Sequence, residues 1–428
     1  MTENIASLYQ KFLTCDFVST DSRADQTNAL FVALNGPNFK GAKFAEAALA
    51  KGARYALVED EEMASNRCLY VKNTLETLQQ LALYHRQQLS IPVIGITGSN
   101  GKTTTKELTN AVLSRKFKTL FTQGNLNNHI GVPLTLLRLK PEHEIAIIEM
   151  GANHPGEIDM LCRIALPTHG IITNIGKAHL EGFGSLEGVA RAKSELYRFV
   201  ADTNGTIFLN TNSEHLVRMS RSITNKITYP NAGNFLHLEL LEATPNVVYK
   251  TETGAPVKTH LMGTYNFDNI AAAACIGKYF EVPETEINAA LAEYIPANNR
   301  SQVIQKNSNF ILLDAYNANP SSMEAAIKNF GSSAGNPKVL IVGDMFELGP
   351  ESEAEHRKLG ELIAAQPIEK VLLCGKEMKA AAAVNPDFIY FETKAELENY
   401  LKQHPVTNSR LLIKGSRGMG LETLLELL

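Results

Sequence analysis

One turn constrains the fold of this chain more than any other feature. An apolar run, Val93-Ile94-Gly95-Ile96, leads into Thr97-Gly98-Ser99-Asn100-Gly101-Lys102-Thr103-Thr104-Thr105, and a helix is expected from Lys102 to about Arg115. Glycines let such a turn curl so that several N–H groups point inward, and the N-terminus of the following helix adds positive potential. Lys102 is then placed to reach the outer phosphates of a nucleotide, and the Thr103 hydroxyl to serve a magnesium ion. Ile96 stands where the strict Walker pattern has its first glycine; this loop carries Gly98 and Gly101 instead. A plain glycine turn is the alternative, but Gly-Lys-Thr between a strand and a helix favours nucleotide binding.

The surrounding texture agrees with a parallel α/β fold. Strand-length apolar runs recur at Ile145–Ile148, Gly170–Ile172 and Thr206–Leu209, and again at Ile311–Leu313, Val339–Val342, Val371–Leu373 and Leu411–Ile413. Near-continuous apolar strands separated by helical patterns suit sheets covered on both faces. Before them lies a mixed stretch with a strand at Phe31–Leu34, a helix at Phe44–Ala50 and a helix at Leu75–Gln88, closed by Ser90-Ile91-Pro92. A length of 428 residues, at ~150 per domain, points to about three domains. We expect them at 1–89, 90–297 and 298–428, with candidate hinges near 90 and 298. No short repeat marks a solenoid.

Composition excludes several classes. With 41 basic and 45 acidic residues, net charge −4, neither nucleic acid nor an anionic membrane is expected as main partner. No apolar run of ~18 residues would span a bilayer. The first residues, Met1 to Ile5, lack the basic and apolar regions of a secretory signal. Five scattered cysteines without a Cys-x-x-Cys pair read as buried thiols in a reducing compartment, which places the protein in the cytoplasm.

Other candidates are individually ambiguous. Glu149 ends a strand, where ligands bind in open α/β sheets, and is either a magnesium ligand or a solvent-facing acid. His179 is a ligand or a hydrogen-bonded structural histidine. Lys193 falls on the apolar stripe of Leu186, Val189, Leu196 and Val200, so it either snorkels at the edge or is buried as a reactive amine. Lys414 to Arg417 follows a strand and forms an anion-binding turn or a solvated loop. His356 is expected on a helix surface, and Glu351, Glu353 and Glu355 suit a helix start without further function. His129 and His154 receive no role.

Taken together these residues carry a resemblance. The loop Thr97–Thr104 resembles that of the Mur ligases, ATP-dependent amide-forming enzymes of peptidoglycan synthesis. Further matches follow in family order. They are Gly124-Asn125-Leu126-Asn127-Asn128-His129-Ile130-Gly131-Val132-Pro133, Glu149-Met150-Gly151-Ala152-Asn153 and Thr173-Asn174-Ile175-Gly176-Lys177-Ala178-His179. Later come Asp314-Ala315-Tyr316-Asn317-Ala318-Asn319-Pro320, Gly343-Asp344-Met345-Phe346-Glu347-Leu348-Gly349 and Lys414-Gly415-Ser416-Arg417. Within the family these blocks are most similar to the branch that joins D-alanyl-D-alanine to a UDP-N-acetylmuramoyl tripeptide.

The resemblance implies an N-terminal domain for the UDP moiety, a central P-loop-like ATPase domain and a C-terminal Rossmann-like domain that closes over both. It implies an ATP site of Gly98, Ser99, Asn100, Gly101, Lys102, Thr103 and Thr104, with Asn269 near adenine, Arg300 near the phosphates and Asp314 near the ribose. Thr103 and Glu149 would serve one Mg2+. His179 and a carbamylated Lys193 would serve a second, the carbamate turning a cation into an anionic oxygen ligand. Ser22 and Arg23 would meet the uridine nucleotide, and Asn125, Asn128, Lys414 and Arg417 the peptide substrates. Lys40-Gly41-Ala42 and Ala315 depart from the family pattern. A monomer is expected. The rivals are a folylpolyglutamate synthase-like ligase and a P-loop nucleotide-binding protein without ligase activity.

Overall fold

The structure is a computed structural model, and it describes residues 4–252, 254–297, 299–335 and 337–428. Met1 to Glu3, read above for a signal, and Asn298, the expected start of the last domain, lie outside the described residues.

Three α/β units follow one another. The first holds a four-stranded parallel sheet in the order Phe17–Ser19, Ala29–Val32, Tyr55–Val58, Cys68–Tyr70. The central sheet has six parallel strands, in the order Lys226–Tyr229, Thr206–Asn210, His169–Ile172, Val93–Thr97, Ile145–Glu149, Thr119–Phe121. Val93–Thr97 and Ile145–Glu149 are buried at every position, as their apolar runs require, and the polar Thr97 and Glu149 at their carboxyl ends are buried with them. The strand that feeds the phosphate loop is thus flanked on both sides. Its carboxyl end opens where neighbouring crossovers diverge, which is where doubly wound sheets take ligands.

The third sheet runs Gln302–Lys306, Asn309–Asp314, Arg410–Lys414, Lys338–Gly343, Lys370–Cys374, Ile389–Phe391. Only its first pair is antiparallel. A small antiparallel sheet of Leu238–Glu242, Val248–Thr251 and Val257–Lys258 extends the central unit and was not anticipated. Its strands are short and mostly half exposed, so they lack the apolar signature of the other sheets.

Helix Lys102–Leu113 packs along helix Thr264–Tyr279, whose Ala271–Ala274 face is fully buried. A Cβ at Gly277 would meet Val112 at 2.4 Å, so the glycine permits the close approach that holds the phosphate-loop helix in place.

The expected hinge near residue 90 is fastened. Arg86, at the end of helix Thr74–Gln87, is buried; its guanidinium donates to the carbonyls of Leu89 and Ile91 in the connector and of Ala165 in the central unit. His85 beside it bridges the Tyr9 hydroxyl and the Leu139 carbonyl. One apolar core runs from Leu8 through Leu81 to Leu161 across that seam.

The C-terminal unit docks on the central one through polar contacts. Asn319 caps helix Pro320–Ser332 through its oxygen, and its amide nitrogen donates to Asn100 Oδ1 at 2.8 Å. Ser321 Oγ accepts from Lys177 N at 2.9 Å, and Lys177 Nζ meets Glu355 Oε1 at 2.8 Å. Glu355 is therefore not an idle helix-start acid: it is buried and neutralised by Lys177 and Lys358. His356 is likewise not on a surface. It is fully buried, accepts the Met345 N–H at 3.0 Å and donates to the Ser352 carbonyl, which pins the loop after Gly343.

Four of the five cysteines are buried and one is half-buried, all as free thiols. Among the described residues no helix is long and apolar enough to cross a membrane.

Candidate active site

A cavity of about 580 Å3 lies between the central and C-terminal units. Its wall includes Ser99 to Thr104, Asn128, Glu149, His179, Asn269, Arg300, Asp314 and Lys414. Most of the residues singled out from sequence thus share one space.

The phosphate loop is built as a cradle. Gly98 (φ +143°) and Gly101 (φ +77°) take backbone conformations that L side chains rarely adopt. A Cβ on Gly101 would lie 2.4 Å from Asn269 Oδ1. The loop is braced by Ser99, whose N–H donates to the Asn174 carbonyl and whose hydroxyl bonds Gly176, and by the Asn100 N–H, which donates to Asn174 Oδ1. Thr105 N is bonded to the Gly101 carbonyl, while the first-turn N–H groups before it have no intrahelical acceptor and are left for an anion. Lys102 Nζ folds back on the carbonyls of Gly98 (2.7 Å) and Ser99 (3.1 Å). Loss of water around its ammonium brings it down to about 8, against the opposing pull of Glu149. Asn269, assigned to adenine by resemblance, spends its amide on Thr105 and Asn266; it supports the loop from behind while lining the cavity.

Glu149 is buried and fully engaged. Its Oε2 accepts from Thr103 Oγ1 at 3.0 Å, its Oε1 from Asn127 Nδ2 at 2.8 Å, and its N–H donates to Thr122 Oγ1. Lys106, fully buried one turn along the helix, brings its ammonium within 3.9 Å of the same carboxylate and 3.0 Å of Glu107. Asn127 and Lys106 were missed in the sequence. Asn127 lies between the two asparagines that were named. The hydroxyl and carboxylate oxygens of Thr103 and Glu149 fit a magnesium ion that takes its remaining ligands from water and phosphate.

Lys193 is 1% exposed. Of the two readings, burial is the one found. Its Nζ donates to the Ala152 carbonyl at 3.3 Å and lies 5.3 Å from the Phe183 ring centre. Burial pulls its pKa down to about 7, helped by Lys102 and opposed by Glu157 and Glu195. The His179 ring packs edge-on against the same Phe183. His179 has φ +52° and starts the short helix Leu180–Phe183; its Nδ1 lies 2.5 Å from Glu347 Oε2 of the C-terminal unit. Among the described residues no group of three His, Cys, Asp or Glu could hold a metal. His179 shares the cavity wall with the carboxylates of Glu149 and Glu157.

The C-terminal wall is cationic. The Arg300 guanidinium stacks 3.6 Å from the Tyr316 ring centre, and its buried Nε has no hydrogen-bond partner. Arg417 flanks the same ring and donates to the Tyr316 hydroxyl at 3.3 Å. Tyr316 was not singled out as a site residue, although it lies inside a quoted motif. Asp314 accepts the Ser301 N–H at 3.1 Å and pairs with Lys414 at 2.6 Å. Lys414 is buried and also donates to the Asn317 carbonyl, so its ammonium braces Asp314 rather than facing solvent as the tip of an anion-binding turn.

Six named residues lie off the cavity wall: Gly98, Lys193, Arg417, Asn125, Ser22 and Arg23. Asn125 is exposed on the loop before Asn127, whereas Asn128 lines the cavity and accepts the N–H groups of Ile130 and Gly131. Ser22 and Arg23 sit on an exposed turn of the first unit. Asp21 grips the Arg23 guanidinium at 2.9 Å, which holds its own carboxyl down to about 2, and Lys51 donates to the Ser22 carbonyl.

Comparison with known proteins matches the chain in three consecutive pieces. Residues 14–95 match the Mur ligase family catalytic domain, 96–277 the Mur ligase middle domain and 299–417 the Mur ligase glutamate ligase domain. The UDP-N-acetylmuramoyl-tripeptide–D-alanyl-D-alanine ligase of Escherichia coli (strain K12) is 38% identical over 97% of this chain and 94% of its own. The crystal structure of MurF from Acinetobacter baumannii is similar with a TM-score of 0.88 at 33% identity, covering 100% of this chain and 98% of that one. MurF ligase from Thermotoga maritima in complex with ADP gives a TM-score of 0.85 at 28% identity, covering 97% of each. This chain belongs to the Mur ligase family.

Proposed function

We propose that this chain is an ATP-dependent ligase that joins D-alanyl-D-alanine to the terminal carboxylate of a UDP-N-acetylmuramoyl tripeptide, acting as a cytoplasmic monomer. The observation that carries the reading is its 38% identity, over nearly the whole of both chains, to the Escherichia coli enzyme of that name. The cavity between two units supports it, because amide synthesis needs nucleotide, acid and amine in one water-poor space.

The peptide carboxylate attacks the γ-phosphate and ADP leaves, giving an acyl phosphate. The free amine of the dipeptide then attacks the acyl carbon, phosphate departs and the amine loses a proton. The loop N–H groups, Lys102 and Arg300 hold the phosphates and offset charge on the transferring group. Thr103 and Glu149 would hold one Mg2+, and His179 with a carbamate on Lys193 a second; bound there, magnesium supplies further compensation of phosphate charge. The carbamate forms when the neutral Lys193 amine adds to carbon dioxide and one proton is released. Ser22 and Arg23 receive the uridine end, Asn125 and Asn128 the peptide, and Arg417 the dipeptide carboxylate. Lys414 keeps Asp314 aimed at the nucleotide ribose.

Mass spectrometry tests the reading. Purified protein with ATP, D-alanyl-D-alanine and a tripeptide nucleotide ending in lysine or in a diamino acid should yield the pentapeptide nucleotide from one of them. Consumption of ATP with neither product would refute it.

A further inference from the structure

The contact between His179 of the central unit and Glu347 of the C-terminal unit joins residues that are 168 positions apart. Both backbones are left-handed, with φ +52° at His179 and +63° at Glu347, so each turn holds an uncommon conformation to present its side chain. A second bond, from Glu181 N to the Glu347 carbonyl at 3.1 Å, fixes the same loop. The Glu347 carboxylate accepts at Nδ1. Among the described residues Nε2 takes no hydrogen bond, and the imidazole lines the cavity. Histidines that bind a metal through one nitrogen commonly give the N–H of the other to a carboxylate, which sets the tautomer and raises the basicity of the ligating atom.

We propose that Glu347 is a positioning residue for the second metal site. The C-terminal unit supplies it on docking, and it fixes His179 as the tautomer with a free Nε2. The site thereby reaches full affinity only when that unit sits on the central one. This rests on the reading of His179 and Lys193 as ligands of a second metal.

The rest of the seam supports the assignment. Lys177–Glu355 and Asn319–Asn100 already tie the two units together without touching His179. Docking therefore has other fasteners, and Glu347 is the one that holds the His179 imidazole.

The test uses Mn2+ as probe, followed by electron paramagnetic resonance on the full chain with ADP. Wild type should show two classes of bound Mn2+. Glu347→Ala should weaken one class about 10- to 100-fold and leave the other unchanged. Glu347→Gln keeps the size of the acceptor without its charge and should fall between. Nitrogen-15 spectra of labelled histidine, recorded without metal, should show the Nδ1–H form of His179 in wild type and a mixture of tautomers in Glu347→Ala. A single Mn2+ class in wild type would remove the second site, and this assignment with it. Two classes that Glu347→Ala leaves untouched, or binds more tightly, would overturn the assignment alone. So would Glu347→Gln matching wild type, which would reduce Glu347 to a strut.

Discussion

The Thr103 hydroxyl donates to Glu149 Oε2 across 3.0 Å, joining the first turn of the phosphate-loop helix to the end of the neighbouring strand. Sheet topology makes the contact: strand Val93–Thr97 pairs with Ile145–Glu149, so the two residues end side by side at the carboxyl edge. Thr103→Ala should raise the Mg2+ concentration needed for half-maximal activity by about tenfold or more. Affinity for metal-free nucleotide should change little. Equal losses with and without metal would show that Thr103 serves the loop alone.

Lys193 predicts a pH dependence. Its folded pKa, lowered by burial to about 7 from an ordinary 10.5, means that between those values the unfolded chain binds a proton that the folded chain does not. Stability from this site therefore rises with pH across the window, and the cost of burial is greatest below about 7. In carbon-dioxide-free buffer Lys193→Met should melt above wild type at the low end of the window. That advantage should shrink towards the high end. A constant difference in melting temperature would contradict the burial argument. Turnover of the same variant should be abolished while nucleotide binding persists.

Gly101 cannot carry a side chain. Its φ of +77° costs another residue about 1–2 kcal/mol, and a Cβ would press on Asn269. Gly101→Ala should weaken binding of a non-hydrolysable ATP analogue in calorimetric titration by at least tenfold, a shift of about 1.4 kcal/mol. Unchanged affinity would mean the loop does not hold the nucleotide.

Arg86 should behave as a structural rivet. Removing its buried guanidinium leaves the carbonyls of Leu89, Ile91 and Ala165 without their donor. Arg86→Ala should lose about 3 kcal/mol in urea unfolding, with catalytic constants of the folded fraction nearly unchanged. A variant as stable as wild type would restore residue 90 as a hinge.

The legible parts of this fold were those written in local patterns. The central strands announced themselves as unbroken apolar runs, and Lys193 stood out because it shared a helical stripe with Val189, Leu196 and Val200, all buried. The antiparallel strands at 238–258 were silent because half-exposed residues dilute the alternation that marks a strand. His356 and Glu355 were misjudged for a different reason. Their helix positions look solvated locally, and only packing against Met345 and Lys177 buries them. The Glu347–His179 contact depends on how two units meet, and no spacing rule spans such a separation. The motifs that carry the family resemblance located most of the cavity wall. Which residue props which, as with Lys414 under Asp314, came only from three-dimensional geometry.

Phosphate release measured with and without the acceptor amine tests the central claim most directly. With ATP, Mg2+ and the tripeptide nucleotide present, phosphate should appear only when D-alanyl-D-alanine is added, one for each amide formed. Release at the same rate without the dipeptide would contradict the account.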